Sequence, residues 1–259
     1  MKITILGGGN MGGAMAKGLA SGTIFLPQNI TVVDTCEVKL EEFRKLGINA
    51  VLGNYDSLVD ADIVLFALKP WLIKATAEEV GDRLTKDGQI VISIAAGITL
   101  NELESWLPSN KVVYRVIPNT AIAVKQSMTF IASNNSTADK DQLLLNIFGE
   151  LGKALVVEEK LFSAVTALSS CGIAYAFRYI RAAMEGGVEM GIFPDQAKEI
   201  VAQTLRGAIE LLEANNSHPE QEIDKVTTPG GITIKGLNEM EHAGFTSAVI
   251  KGLKASNIG

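Results

Sequence analysis

The segment KITILGGGNMGG, Lys2 to Gly13, constrains this chain more than any other, because an apolar β-branched run leads straight into glycines spaced G-x-G-x-x-G. Ile3, Ile5 and Leu6 read as a buried strand, and Met11 to Ser21 reads as a helix rich in small residues. In a strand–turn–helix of this kind Gly7 takes the tight turn, Gly9 lets backbone approach a pyrophosphate, and Gly12 lets the helix pack on the strand. The first helical residues, Asn10 and Met11, then present free amides to phosphate. A glycine turn by itself occurs in many folds, so its surroundings decide. Here a second strand, Ile30 to Val33, ends at Asp34, and an acidic residue at that distance holds the ribose hydroxyls of a dinucleotide.

Strand-like runs recur at Ile63 to Ala67, Ile90 to Ile94 and Val112 to Val116, with helical patterns between them. That alternation predicts an α/β fold with a Rossmann-type, mostly parallel sheet covered on both faces. Each strand closes on small or polar residues where such a sheet binds its ligand: Gly7, Asp34, Lys69 with Pro70, Ala95 to Gly97, and Pro118 with Asn119. A helix from Gln142 to Leu151 and a strand at Ala154 to Val157 complete the region. Beyond Glu158 the apolar period becomes helical throughout: Leu161 to Met190, interrupted at Gly172, then Asp195 to Ala214, then shorter helices near Glu220, Gly231 to Glu241 and Thr246 to Ala255.

A chain of 259 residues exceeds the usual single domain. We therefore read a dinucleotide-binding domain over 1–157 and an all-helical C-terminal domain over 158–259. Wide apolar helix faces in the second domain predict dimerisation. The net charge is −6 and the basic residues are scattered, which argues against nucleic acid or an anionic membrane as partner. The longest unbroken apolar run, Ile63 to Leu68, is too short to span a bilayer. Two cysteines make no disulfide framework, no leader opens the chain, and a cytoplasmic location is expected. No metal site is expected.

Four more segments bear on chemistry: ALKP (Ala67, Leu68, Lys69, Pro70), SIAAGI (with Ala95, Ala96, Gly97), RVIPNTA (with Asn119) and DKVTTPGGITIKG from Asp224 to Gly236. In the last, Thr228 followed by Pro229, Gly230 and Gly231 reads as an N-cap, a first-turn proline and an open helix start. Unpartnered amides there, with the helix dipole, favour a carboxylate by about 0.3 to 2 kcal/mol per site. The hydroxyls of Thr228 and Thr233 add donors.

Together with the stretch Ala167 to Tyr175, these motifs resemble pyrroline-5-carboxylate reductases, over nearly the whole chain. The resemblance implies reduction of the cyclic imine 1-pyrroline-5-carboxylate to proline by NADPH or NADH, in proline biosynthesis. It also implies a homodimer, or a larger assembly of dimers, whose helical domains complete each other's sites. By the same resemblance the substrate carboxylate rests on the amides from Gly230 through Gly231 and Ile232 to Thr233, with Thr228 nearby. Thr233 bonds the ring nitrogen and is the catalytic candidate. Lys69, Asn119 and the Ala95 to Gly97 turn line the nicotinamide and ribose, and Asn54 the adenosine side.

The residues agree with that chemistry. His218 and His242 are the only histidines, and neither sits in a stretch suited to proton donation. A carbonyl reductase needs a strong general acid, whereas an imine whose nitrogen arrives protonated accepts hydride directly. The family pattern SGSGPAY here reads Ser169, Ser170, Cys171, Gly172, Ile173, Ala174, Tyr175, so three positions depart. Ile173 in place of proline restores an amide, which predicts a straighter helix. Asp34 repels a 2′-phosphate and favours NADH, while Lys39 and Arg44 leave NADPH open. The alternatives are a reductase of another cyclic imine or β-hydroxyacid, and a nucleotide-binding protein without turnover.

Overall fold

The structure, a computed structural model, describes residues 1–258. It contains two compact units, Met1–Ser170 and the chain from Cys171 onward. In the first, strands and helices alternate: β1 (Ile3–Leu6), α1 (Asn10–Ala20), β2 (Ile30–Asp34), α2 (Glu37–Arg44), β3 (Asn49–Leu52), β4 (Ile63–Phe66), α3 (Pro70–Val80), β5 (Ile90–Ser93), α4 (Leu100–Trp106) and β6 (Val112–Ile117). Then come β7 (Ser127–Ala132), α5 (Ala138–Gly149), β8 (Gly152–Val156) and α6 (Phe162–Thr166). The eight strands form one sheet in the order β3-β2-β1-β4-β5-β6-β7-β8. All neighbours are parallel except β6 and β7, where Val116 faces Ile131 in antiparallel register.

The continuous apolar runs of β1, β4 and β5 follow from burial on both faces. One face packs Ile3, Ile5 and Val32 against Met15 and Leu19 of α1, Phe43 of α2 and Leu144 and Phe148 of α5. The other packs Leu6, Val64 and Phe66 against Ile73 of α3 and Leu100 and Leu103 of α4. Each such side chain contributes roughly 1.5 to 3 kcal/mol by leaving water, so the two layers together hold the sheet and its strand ends in place. Phe162, 2% exposed, belongs to the second layer, which carries the first unit past residue 157 and through α6.

Two strands went unread in the sequence. β3 is an edge strand, Asn49–Leu52, with none of its four residues fully buried, so it lacks the doubly buried apolar run that marks β1, β4 and β5. β7 lies beyond a turn in which Lys125 adopts φ 57, and its antiparallel return breaks the βα alternation on which the reading relied.

The long helix after Glu158 is not α-helical throughout. Residues Ala167–Cys171 widen into a π turn before α7 (Gly172–Glu189) resumes, although Ile173 supplies the amide that proline would lack. The irregularity therefore lies in the turn before residue 173. The second unit continues with α8 (Pro194–Asn215), α9 (Pro219–Val226), α10 (Ile232–His242) and α11 (Phe245–Ser256). Across α7 to α11 the buried residues are Gly187 and Ala197, and a Cβ at Gly187 would lie 3.2 Å from that of Ala197, so the missing side chain lets α7 and α8 approach closely. Phe177, Ile200 and Ile209 are all more than half exposed. The helical stretch Glu159–Glu189 is long and apolar enough to cross a membrane by length and composition only, and 11% of its most apolar window is buried.

Candidate active site

The three fingerprint glycines are needed for three different reasons. Gly7 has φ +103, and a Cβ there would lie 2.6 Å from the Ala67 carbonyl oxygen at the end of β4. Gly12 sits on the Gly7 carbonyl, 2.0 Å from where its Cβ would be, so α1 can begin only with hydrogen at that position. Gly9 is the opposite case: no atom lies within 4 Å of its missing side chain. It caps α1 without a side-chain hydrogen bond, and the first turn, with Asn10 and Met11, carries no acidic residue. An open cradle lined by helix-start amides, with no acidic residue in the first helical turn, fits a pyrophosphate. A groove of about 600 Å³ opens beside it, lined in part by Gly9, Asn10, Lys17 and Lys39.

Sequence reading passed over Gly8, the unassigned middle glycine. Its amide donates to Asp34 Oδ2 at 2.7 Å, and a Cβ there would meet the Phe43 ring at 2.9 Å. The run of three glycines was the only signal for it. Asp34 Oδ1 accepts from the Cys36 amide at 2.9 Å, so the carboxylate is fixed at the end of β2 with lone pairs left on both oxygens. Arg44 is turned away from this corner. Its guanidinium pairs with Glu37 at 2.5 Å and donates to the Ala50 carbonyl. Asn54 follows β3, whose Leu52 is in register with Asp34, and it closes a small turn by accepting from the Asp56 amide.

The other nominated residues line the same edge of the sheet. Ala67 and Leu68 follow β4, Lys69 is an exposed N-cap of α3, and Pro70 is its first residue. Ala95 is buried after β5, while Ala96 and Gly97, at φ +79, are exposed in the loop before α4. Asn119 follows β6 and is 6% exposed. Its side-chain oxygen accepts from the Ala121 amide and its NH₂ donates to the Ser169 carbonyl, so both ends of the amide have partners within the protein.

The second nominated segment belongs to the second unit. Gly231, not Thr228, is the N-cap of α10, and Ile232 is its first residue. The expected cap at Thr228 and first-turn proline at Pro229 are corrected. Gly230 has φ +73 and the Gly231 amide donates to the Thr228 carbonyl at 2.9 Å, which makes Thr228 to Gly231 a type II turn with proline and glycine in their favoured places. The Gly231 amide is thereby used, and the free donors move on to the first turn of α10, at Ile232 and Thr233. The Thr228 hydroxyl lies against Gly231, 2.6 Å from where a Cβ would be, and Gly230 has nothing within 4 Å. His218 caps α9 by accepting from the Glu220 amide, and His242 ends α10.

Residues 159–257 match the family model described as pyrroline-5-carboxylate reductase dimerisation, and residues 2–97 match that of an NADP oxidoreductase, coenzyme F420-dependent. Pyrroline-5-carboxylate reductase 1 of Dictyostelium discoideum is 39% identical, over 98% of this chain and 48% of that protein. The Arabidopsis thaliana pyrroline-5-carboxylate reductase is 32% identical, over 98% of this chain and 92% of that one. A solved pyrroline-5-carboxylate reductase from Coxiella burnetii superposes with TM-score 0.91 at 31% identity, covering 99% of this chain and 96% of the other. The chain belongs to the pyrroline-5-carboxylate reductase family.

Members of the pyrroline-5-carboxylate reductase family reduce a C=N bond, and this chain is an NAD(P)-dependent oxidoreductase of that kind. Its N-terminal matched region contains the glycine turn, Asp34, Lys69 and Ala95 to Gly97. The region matched to the dimerisation model, residues 159–257, contains α7 and α8, whose Phe177, Ile200 and Ile209 are more than half exposed in the single chain. Among the described residues no cluster of three or more metal-ligating side chains occurs.

Proposed function

We propose that this chain reduces 1-pyrroline-5-carboxylate to L-proline, with the substrate held by the turn Thr228 to Gly231 and the first turn of α10. Nicotinamide cofactor, when bound, supplies the hydride. Protein groups do the rest by binding and orientation. The amides of Ile232 and Thr233, at the positive end of α10, bind the substrate carboxylate, and Gly230 leaves room for it. Thr228 adds a hydroxyl beside them. The Thr233 hydroxyl takes the ring nitrogen as its hydrogen-bond partner and orients the C=N carbon. No strong acid is required, because the iminium form already carries the proton.

At the sheet edge, Gly7, Gly9 and Gly12 with the amides of Asn10 and Met11 hold the pyrophosphate. Asp34 takes the ribose diol, Asn54 lies on the adenosine side, and Ala67 to Pro70 with Ala95 to Gly97 border the nicotinamide. Both oxygens of Asp34 are anchored by amides and retain acceptor capacity, which suits two hydroxyls and opposes a 2′-phosphate; NADH is therefore the preferred donor. The uncovered faces of α7, α8 and α10 support a homodimer, and the two free cysteines, Cys36 and Cys171, accord with a cytoplasmic enzyme.

The observation that carries this reading is the pair of open amide-lined turns, at Gly9 and at Gly230, in a chain of this family. Its test is the fall in near-ultraviolet absorbance of the reduced cofactor with 1-pyrroline-5-carboxylate, and chromatographic identification of proline. Cofactor oxidation only with other cyclic imines or oxo acids would overturn the substrate assignment.

A further inference from the structure

The RVIPN stretch at the end of β6 grips the start of the long helix at two points. Near its beginning, Arg115 Nη1 pairs with Glu159 Oε1 at 2.8 Å, and that same oxygen accepts from the Leu100 amide at 2.8 Å. The guanidinium lies 4.8 Å from the centre of the Phe162 ring, and the Arg115 side chain is 12% exposed. At the far end, Asn119 Nδ2 donates to the carbonyl of Ser169 at 3.3 Å, inside the π turn. Widening a helix by one residue displaces its carbonyls from their usual amides, and an outside donor compensates. Asn119 is itself held from the sheet: its amide donates to Ser127 Oγ, which is bonded to Thr129 Oγ1, and both hydroxyls are buried. A buried side chain with partners at both ends is badly placed to bind a diffusible ligand and well placed to fix a helix.

We propose that Asn119, assisted by Arg115, is a positioning residue for the reaction, acting through the π turn and not by contact with the cofactor. The helix it holds is the one by which the chain passes from the first unit into the second, which carries Thr228 to Thr233. The π turn persists with Ser170, Cys171 and Ile173 at the positions where this chain departs from SGSGPAY, so its support comes from Asn119 and not from a proline. This inference rests on the reductase reading for its kinetic consequence, not for its structural one.

The test uses the full-length protein with Asn119→Asp, which keeps an acceptor for the Ala121 amide and loses the donor to Ser169, and with Asn119→Ala, which loses both. Expected in each are an affinity for NADH, measured by fluorescence titration, within about twofold of wild type, and a fall in kcat of roughly tenfold or more. Amides of residues 165–175 should exchange with deuterium faster. A loss of NADH affinity equal to the loss in kcat would overturn the proposal by making Asn119 a cofactor ligand. Unchanged kcat with faster exchange would overturn it by making the contact merely structural. Should a variant at 119 not fold, Arg115→Lys, which keeps the charge but loses the planar stacking on Phe162, is read in the same way. If wild type shows no turnover with 1-pyrroline-5-carboxylate, the reductase reading fails by itself, while exchange and NADH affinity still judge the Asn119 contact.

Discussion

The first unit buries its apolar side chains in two layers around a sheet, whereas the helices of the second leave theirs largely in water. Ile5, Leu19, Phe66 and Phe148 are at most 1% exposed, while Phe177, Met190, Ile209 and Ile232 range from 58 to 87%. Both regions have the apolar content of a core, but only one contains its own. The dinucleotide site is therefore built by a self-sufficient fold, and the helical region matched to dimerisation is a half-core whose complement must come from elsewhere. Glycine illustrates the same contrast: Gly12 is pressed by the Gly7 carbonyl and the Ala67 side chain, and Gly230 by nothing.

Replacing Gly12 by alanine should have the largest effect. Its Cβ would overlap the Gly7 carbonyl, giving a loss of roughly 3 kcal/mol or more in denaturant unfolding and a drop in NADH affinity on the order of 100-fold. Gly9→Ala is the matched control: with empty space around it, stability should hold while cofactor affinity falls. Equal stability for the two variants would break the distinction between crowding and ligand approach.

Phe177→Glu places a charge on the uncovered face of α7, so light scattering at micromolar concentration should report monomer, with the dissociation constant raised about 100-fold or more. An unaltered assembly would show that this face is not covered by a second copy. Thr233→Ala should lower kcat on the order of tenfold to 100-fold with NADH affinity unchanged, which keeps the two regions' roles separate; equal activity would remove Thr233 from the mechanism. Smallest is Asp34→Ser, which should raise the NADPH to NADH ratio of kcat/KM by about tenfold, corresponding to roughly 1.4 kcal/mol. A constant ratio would mean that Asp34 does not face the ribose.

The strand ends were legible because a parallel strand buried on both faces is a plain apolar run, and ligand-edge residues follow it directly: Leu6 to Gly7, Val33 to Asp34, Phe66 to Ala67. β3 and β7 were not, since an edge strand needs only half a pattern and an antiparallel return follows no helix. In the Thr228 segment the sequence reads as an N-cap and a first-turn proline, because proline followed by glycine suits both a helix start and a type II turn. The positive φ of Gly230, which sequence does not encode uniquely, decided between them. The Asn119 contact with Ser169 joins residues 50 apart, and no local pattern could reveal it.

The hydrogen bond between the Gly8 amide and Asp34 carries a practical consequence. The carboxylate proposed to select the sugar also braces the glycine loop proposed to hold the diphosphate, so on that reading redesign of donor preference at position 34 alone would slacken the grip on every dinucleotide. An engineer would have to supply a neutral acceptor for that amide in the same step, and a serine whose hydroxyl stops short of Gly8 should exchange one donor for the other at lower overall affinity.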